Sequence, residues 1–405
     1  FEQYPADTIK PGDLYCYNDC YAAHGAVSHS PDLVLAAPVF YEGTLIAFSQ
    51  AWAHFSDIGG MHAGSISPAC TEYFQEGIIV PPVRLATGGV MNEDLLRLFL
   101  RNSRFPDAVG GDMRAICAAV RLGERRFEAL AARFGAAKMQ AVFEELIARV
   151  GRAVKERFRA IVPNGTYSFT DTVDSDGHGS GPIKLRWKLD VTPERIVLDA
   201  TGSGDQVRGP VNYMMSRTEP AMTFGSFMLG DSKEYTLNAG AEALFDELHV
   251  REGSILQPKF PAPLGQRSIT KMRNLGAYLG LLGVATRGQM PAAHTGYVIW
   301  TVRGRNLEGE RFLMSDGVAV GYGGRATADG HDAIYLVAQE NYPAEFVEAC
   351  YPLRVRTYAI NRDTGGPGRW RGGCGVVREM EILCDEVTVS LRIEGAANPP
   401  WGVNG

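Results

Sequence analysis

Two four-residue stretches in the N-terminal region carry the side chains best suited to chemistry, His29-Ser-Pro-Asp32 and His54-Phe-Ser-Asp57. Both are His-x-x-Asp, and they stand 25 residues apart. Between them lie two apolar runs of strand length, Leu33–Phe40 and Thr44–Gln50. Tyr41-Glu-Gly43 joins these runs and reads as a hairpin connection. An antiparallel hairpin brings its two outer ends together, so the spacing allows His29, Asp32, His54 and Asp57 to converge. Two imidazoles with one or two carboxylates suit a divalent ion such as Zn²⁺, Mn²⁺ or Fe²⁺. An open coordination position would then take water or a substrate oxygen. His24 and His62 lie close by, and four of the eight histidines fall between residues 24 and 62. Either would serve as ligand, base or support. The plainer reading is satisfied histidines and loop-capping aspartates, because His-x-x-Asp is short and common.

Other stretches offer weaker chemistry. Asp57-Ile-Gly-Gly-Met-His-Ala-Gly-Ser-Ile-Ser67 is either a loop whose glycine amides approach a ligand or a long connection. Asp199-Ala-Thr-Gly-Ser-Gly-Asp-Gln-Val-Arg-Gly-Pro210 follows a strand but lacks the Lys-Ser/Thr of a phosphate loop. Asp174-Ser-Asp-Gly-His178 lacks the twelve-residue calcium-loop pattern and reads as a hairpin loop. Thr364–Gly375 places Arg369, Trp370 and Arg371 among glycines, which suits an anionic group or, more plainly, a turn packing Trp370 on a sheet. A Gly-x-Ser-x-Gly nucleophile elbow is absent. Cys16 and Cys20 flank Asn18-Asp19 near the histidines and are either reactive thiols or buried, inert ones.

The elements that must position these residues follow from the hydrophobic pattern. Residues 1–91 read as strands and loops carrying the candidate metal site. Residues 92–162 read as helical, with Asn92 as N-cap and apolar residues at helical spacing from Ile116 to Phe158. Breaks are expected at Asn102–Pro106 and near Gly123 and Gly135. Residues 163–345 form a middle α+β region that opens with a meander over Thr166–Val173, Ile183–Leu189 and Arg195–Ala200. Residues 346–405 are strand-rich, with runs at Leu353–Tyr358, Gly375–Leu383 and Glu386–Leu391. The class is α+β, with mixed and antiparallel strand regions flanking a helical segment in a multi-lobed chain.

Composition narrows the function. The 405 residues are 45% hydrophobic and 21% charged, which excludes a disordered or fibrous chain. The net charge of −6 leaves no basic footprint for nucleic acid. No apolar run reaches the ~18–20 residues of a membrane span. Seven scattered cysteines without a Cys-x-x-Cys pair argue against a disulfide framework and for a reducing, cytoplasmic setting. The chain starts at Phe1 and stops at Trp401-Gly-Val-Asn-Gly405, both loop-like, and reads as part of something longer.

An ordered set of motifs runs along nearly the whole chain. It includes Pro11-Gly-Asp-Leu-Tyr-Cys-Tyr-Asn-Asp19, His29-Ser-Pro-Asp32, Ala53-His-Phe-Ser-Asp-Ile-Gly-Gly60 and Gln75-Glu-Gly-Ile-Ile-Val-Pro-Pro-Val-Arg84. Asn102-Ser-Arg104, Gly111-Asp-Met-Arg114, Arg208-Gly-Pro-Val-Asn212, Gly365-Gly-Pro-Gly-Arg369 and Pro399-Pro-Trp-Gly402 follow. Together they resemble the hydantoinase B/oxoprolinase family. The resemblance implies the catalytic subunit, or one region, of an ATP-dependent hetero-oligomeric enzyme. Its partner would be a hydantoinase A-type subunit of actin-like ATPase fold, which binds ATP and phosphorylates the substrate carbonyl or enol. The B-type subunit would then hydrolyse a cyclic amide of hydantoin or 5-oxoproline type. The alternatives are carboxylation of a ketone, as in acetone and acetophenone carboxylases, and a non-catalytic scaffold for the ATPase subunit. The resemblance places metal ligands at His29, Asp32 and His54. Asp57 would be a fourth ligand, or would orient water or act as base. His62 and His24 are further catalytic candidates, and Gly59, Gly60 and Ser65 would line a substrate loop. The chain departs from the family pattern at Cys20, which replaces a proline, and over residues 331–341 and 391–398.

Overall fold

A computed structural model describes residues 3–403 except 231, 295, 297 and 336–339. Phe1, Glu2, Asn404 and Gly405, and residues 336–339 of the departing 331–341 segment, lie outside the described residues. The chain divides into two compact units.

The first unit takes residues 1–157, 214–244 and 260–265. Its strands are β1 (Leu14–Tyr17), β2 (Asp32–Tyr41), β3 (Thr44–His54), β4 (Val83–Thr87) and β5 (Val90–Met91), and its helices are α1 (Glu93–Asn102), α2 (Pro106–Phe134), α3 (Ala136–Ile161) and α4 (Glu219–Leu229). The strands form one antiparallel sheet in the order β3-β2-β1-β4-β5. The expected hairpin is present as β2–β3. Its two-residue turn puts Glu42 and Gly43 at φ +47° and +79°, both left-handed, the geometry that matches strand twist. β2 is almost wholly apolar because both of its faces are covered. Leu33, Leu35 and Ala37 pack on Val109, Met113, Ile116 and Val120 of α2, which recur at helical spacing. Val34 points the other way, into a cluster with Cys20, Val27, Tyr73, Met214 and Leu264.

Asn92 caps α1, its Oδ1 accepting from Leu95 N at 3.1 Å. Pro106 begins α2, and Gly135 at φ +82° ends it, as expected. The break expected near Gly123 is absent, and α2 runs straight through it. The glycine has a packing reason: a Cβ there would stand 2.2 Å from Ser49 Oγ. Ser49 donates to Val120 O of the same helix at 2.8 Å, so β3 and α2 meet across a residue without a side chain.

The second unit takes residues 158–213, 245–259 and 266–405. Its elements are β6 (Gly165–Val173), β7 (Ile183–Val191), β8 (Ile196–Asp199), β9 (Glu247–His249), α5 (Ser268–Ala285), β10 (Val298–Arg305), β11 (Arg311–Val318), α6 (Ala344–Cys350), β12 (Leu353–Ile360), β13 (Val376–Ile382) and β14 (Val387–Arg392). The meander β6-β7-β8 is antiparallel, and β9 joins it in parallel. α5 packs on it closely, and a Cβ at Gly280 would meet the Phe169 ring at 2.4 Å. β10 and β11 have no counterpart in the sequence reading. They pair with each other, and β10 also pairs with β14, while β12 and β13 form a separate ribbon. Among the described residues no helix is long and apolar enough to cross a membrane.

Candidate metal centre

The centre sits at the open end of the β2–β3 hairpin. Asp32 is the first residue of β2 and His54 the last of β3, and they are directly paired in the register. His29 arrives from the turn before β2, where Asp32 N donates to His29 O at 3.1 Å. His29 Nε2 lies 3.0 Å from Asp32 Oδ1, and the His29 and His54 rings are 4.8 Å apart at 60°. One ligand atom from each of the three lies within 4.8 Å of the others. Among the described residues this is the one such group of three or more His, Cys, Asp or Glu side chains. His29 and Asp32 are buried and His54 is exposed, so solvent reaches the centre from the His54 side.

The donor set fits a divalent ion. Two imidazoles and a carboxylate on one side, with the other side open, is the arrangement of catalytic zinc and of non-haem iron sites. Ligand atoms about 2.1 Å from a tetrahedral zinc stand about 3.4 Å from one another. The separations here, within 4.8 Å for all three and 3.0 Å between His29 Nε2 and Asp32 Oδ1, are of that order.

The turn that carries His29 is fixed by residues the sequence reading did not single out. Asn18 is fully buried between β1 and the chain before β4. Its Nδ2 donates to Ser30 O at 2.7 Å and to Ile78 O at 2.9 Å, and its Oδ1 accepts from Val80 N at 2.6 Å. Ser30 Oγ donates to Glu76 O at 2.9 Å. Glu76, also fully buried, accepts from Leu264 N and Gly265 N at 2.8 and 2.6 Å. A buried amide and a buried carboxylate thus tie the ligand turn to two other segments. The available signal is a polar residue bordering an apolar run, after Leu14-Tyr-Cys-Tyr17 for Asn18 and before Gly77-Ile-Ile-Val80 for Glu76.

Asp57 is not part of the group formed by the three candidate ligands. β3 ends at His54, Phe55 turns inward, and Asp57 is buried in the loop beyond. Its Oδ1 accepts from Gly64 N at 2.9 Å and Arg104 Nη1 at 3.0 Å, and its Oδ2 from Arg104 N at 2.6 Å. Arg104 also donates to Gly60 O and His62 O. The 57–65 loop is therefore gathered around one ion pair. Gly59 and Gly60 adopt φ +93° and +83°, and a Cβ on them would meet Asn102 O at 2.8 Å and Gln75 O at 2.6 Å. Ser65 Oγ accepts from Ile58 N and donates to Gly59 O, so its hydroxyl is engaged in holding the loop. His62 is half-buried on this loop. His24 is exposed, at φ +49°, in the turn over residues 19–27.

Cys16 is buried, and burial together with the neighbouring Cys117 pushes its thiol up to about 12. At neutral pH it is an inert thiol. Cys20 is likewise fully buried.

A family model described as Hydantoinase B/oxoprolinase matches residues 1–405. The chain is 30% identical to a protein of Pseudomonas sp. (strain NS671) named as the B subunit of a D-/L-hydantoinase, over 98% of this chain and 68% of that one. It superposes with a TM-score of 0.83 on the crystal structure of the ATP-dependent caprolactamase from Pseudomonas jessenii, at 26% identity, covering 93% of this chain and 66% of that one. It also superposes on nucleotide-free acetone carboxylase with a TM-score of 0.86, covering 98% of this chain and 55% of that one; at 19% identity this likeness is one of fold.

Proposed function

The chain belongs to the hydantoinase B/oxoprolinase family, and from that premise we propose that it is the metal-holding subunit of an ATP-dependent enzyme that hydrolyses a cyclic amide. The observation that carries this reading is the convergence of His29, Asp32 and His54 at the hairpin end. A divalent ion held there supplies Lewis acidity to a carbonyl or phosphoryl oxygen. His29 and Asp32 form the buried half of the cradle, and the exposed His54 marks the side from which substrate enters.

The 57–65 loop shapes the approach. Asp57 acts through Arg104 as a positioning residue, and Gly59, Gly60 and Ser65 hold the backbone against the substrate's path. His62, half-buried on that loop, is the candidate base, and the exposed His24 is a second one. ATP enters through a separate subunit of hydantoinase A type in the cytoplasm, a reading supported by relatives that are named as the B subunit of a hydantoinase and the beta subunit of a caprolactamase. Hydrolysis is preferred to carboxylation because the hydantoinase and caprolactamase relatives are the more similar in sequence.

The test is reconstitution with the ATPase subunit and ATP. One divalent metal per chain and ATP-dependent opening of a hydantoin, a lactam or 5-oxoproline are expected, and both are lost in His29→Ala and His54→Ala. Bicarbonate-dependent consumption of a ketone in place of amide opening selects the carboxylase reading. Full activity in both variants leaves only a scaffold.

A further inference from the structure

The face of the hairpin that carries the metal centre continues along β3. Side chains of a strand alternate between its two faces, so Phe48, Gln50, Trp52 and His54 share one side of β3. They are the residues paired with Pro38, Ala36, Val34 and Asp32 of β2. All four are exposed. Ala51 and Ala53, on the opposite side, pack into the cluster shared with α2. β3 is the edge of its sheet, so no further strand of that sheet stands beyond the row.

Folding usually covers most of a tryptophan, yet Trp52 is 65% exposed, the most of the five in the chain. Among the described residues no hydrogen bond or ring contact holds its indole. Its pairing partner Val34 is buried beside Cys20, Val27 and Tyr73, so Trp52 stands at the rim of that apolar cluster. Residues on one face of a strand repeat at about 7 Å, which puts Trp52 one such step from the candidate ligand His54, along the exposed side of the centre. The row is also uncharged: from Gly43 to Ala53 there is no Asp, Glu, Lys or Arg.

We infer that Trp52 is a specificity-determining residue of the proposed reaction: it takes the apolar side group of a ring-substituted cyclic amide whose carbonyl oxygen lies at the metal centre. The inference rests on the reading of that centre given above. A step of about 7 Å exceeds the reach of a five-membered ring from its own carbonyl oxygen, so the group attached to the ring meets the indole, and the ring itself does not. An indole face gains from apolar and aromatic groups by burial and stacking. It offers no charge to a carboxylate, and neither does the rest of the row. An amide whose ring bears a carboxylate therefore loses hydration there without a cation to replace it. The chain selects a neutral, apolar-substituted ring over a carboxylate-bearing one such as 5-oxoproline.

The test uses the metal-loaded chain reconstituted with the ATPase subunit and ATP, and four probes: hydantoin, 5-methylhydantoin, 5-benzylhydantoin and 5-oxoproline. In the wild type, kcat/KM is expected to rise from hydantoin to 5-benzylhydantoin and to be lowest for 5-oxoproline. Trp52→Ala raises KM for 5-benzylhydantoin about tenfold with kcat held, the mark of binding lost equally from substrate and transition state, while hydantoin changes less than about twofold. Trp52→Phe keeps most of the preference, because its ring still stacks. Without ATP, 5-benzylhydantoin changes the tryptophan fluorescence of the wild-type chain and leaves that of Trp52→Phe unchanged, a readout independent of turnover. Metal content stays at one ion per chain in both variants, which separates a lost contact from a damaged centre. Turnover without preference among the side groups, or a preference that Trp52→Ala leaves intact, overturns the inference and spares the reading of the centre. So does a complex that opens only 5-oxoproline or an unsubstituted lactam, or a Trp52→Ala chain whose one defect is weaker association with the ATPase subunit. A complex that opens no cyclic amide overturns the reading of the centre and the inference with it.

Discussion

Asp57 and Asp32 are both buried carboxylates next to the hairpin end, and exchanging each for asparagine separates support from ligation. Asp57→Asn keeps the volume and one oxygen, which still accepts from Gly64 N. The new amide nitrogen then faces Arg104 N, which donated to the carboxylate at 2.6 Å, so two donors oppose each other. The charge opposite the Arg104 guanidinium is gone as well. Leaving a buried donor unmet costs about 1–3 kcal/mol, and removing one partner of a buried ion pair costs about 3–5 kcal/mol. The Arg104 side chain is 25% exposed, so water recovers part of its solvation. The expected loss is therefore near the bottom of that range, about 3 kcal/mol. With a urea slope of about 3 kcal/mol/M, the first unit unfolds at a midpoint about 1 M lower. Metal content, measured by elemental analysis on the same preparation, stays at one ion per chain. Asp32→Asn does the opposite: it removes the anionic ligand, so the ion is lost while the metal-free midpoint moves by less than about 0.5 M. Hydrogen exchange in the peptide covering residues 55–66 reports the loop directly. An Asp57→Asn protein that loses its metal with an unchanged midpoint would refute the placement of Asp57 outside the ligand set.

Three further outcomes follow from the packing. Gly60→Ala forces a side chain onto φ +83° and against Gln75 O, and it should cost about 2–3 kcal/mol, read as a lowered thermal midpoint; an unchanged midpoint rules out the close approach. Gly123→Ala should cost about 1–3 kcal/mol by overpacking against Ser49 Oγ, and the cost should shrink in a Ser49→Ala background, so a double-mutant cycle with no coupling sinks the contact. Hydrogen bonding from Arg371, then from Cys374 N, holds the Asp332 carboxyl down at about 2, from an ordinary 3.8. Its contribution is present above about pH 4 and lost as pH falls through about 2, so exchange protection at residues 329–332 and 371–374 should fall in that window and Asp332→Asn should abolish the change.

The hairpin end shows what residue spacing can and cannot encode. His29, Asp32 and His54 meet because strand pairing is itself a spacing rule, set here by a two-residue turn and by one register shift at Val39/Phe40: the turn alone would put Ala53 opposite Asp32, and the shift brings His54 there. Asp57 repeats the His-x-x-Asp interval yet goes elsewhere. In the first stretch the histidine lies in a turn and the aspartate begins a strand, whereas in the second the histidine ends a strand and the aspartate enters a loop. Equal intervals give equal geometry only on equal backbone. The partner that claims Asp57, Arg104, comes from the link between α1 and α2, and nothing local to either residue announces the pair.

The same reasoning separates the readable elements from the unread ones in the second unit. β6 and β7 alternate apolar and polar residues because the meander has one covered face, while β8, Ile-Val-Leu-Asp, reads as a short buried run. α5 is buried along most of its length, on every side, so no one-sided stripe marks its ends. β11 escapes the pattern because Asp316 interrupts it, and that aspartate is tolerated in the interior because Arg378 of β13 pairs with it between the Trp300 and Tyr358 rings. The charge that hides the strand from the sequence is the charge that ties it to the next sheet. Asn18 and Glu76 work in a similar way in the first unit, where polar residues at the borders of apolar runs fix the turn that carries His29. A buried polar side chain persists only with its partners met, so such interruptions are better read as long-range ties than as breaks. On that rule the support of the candidate metal centre is open to inference from the chain alone, and only the identity of each partner is not.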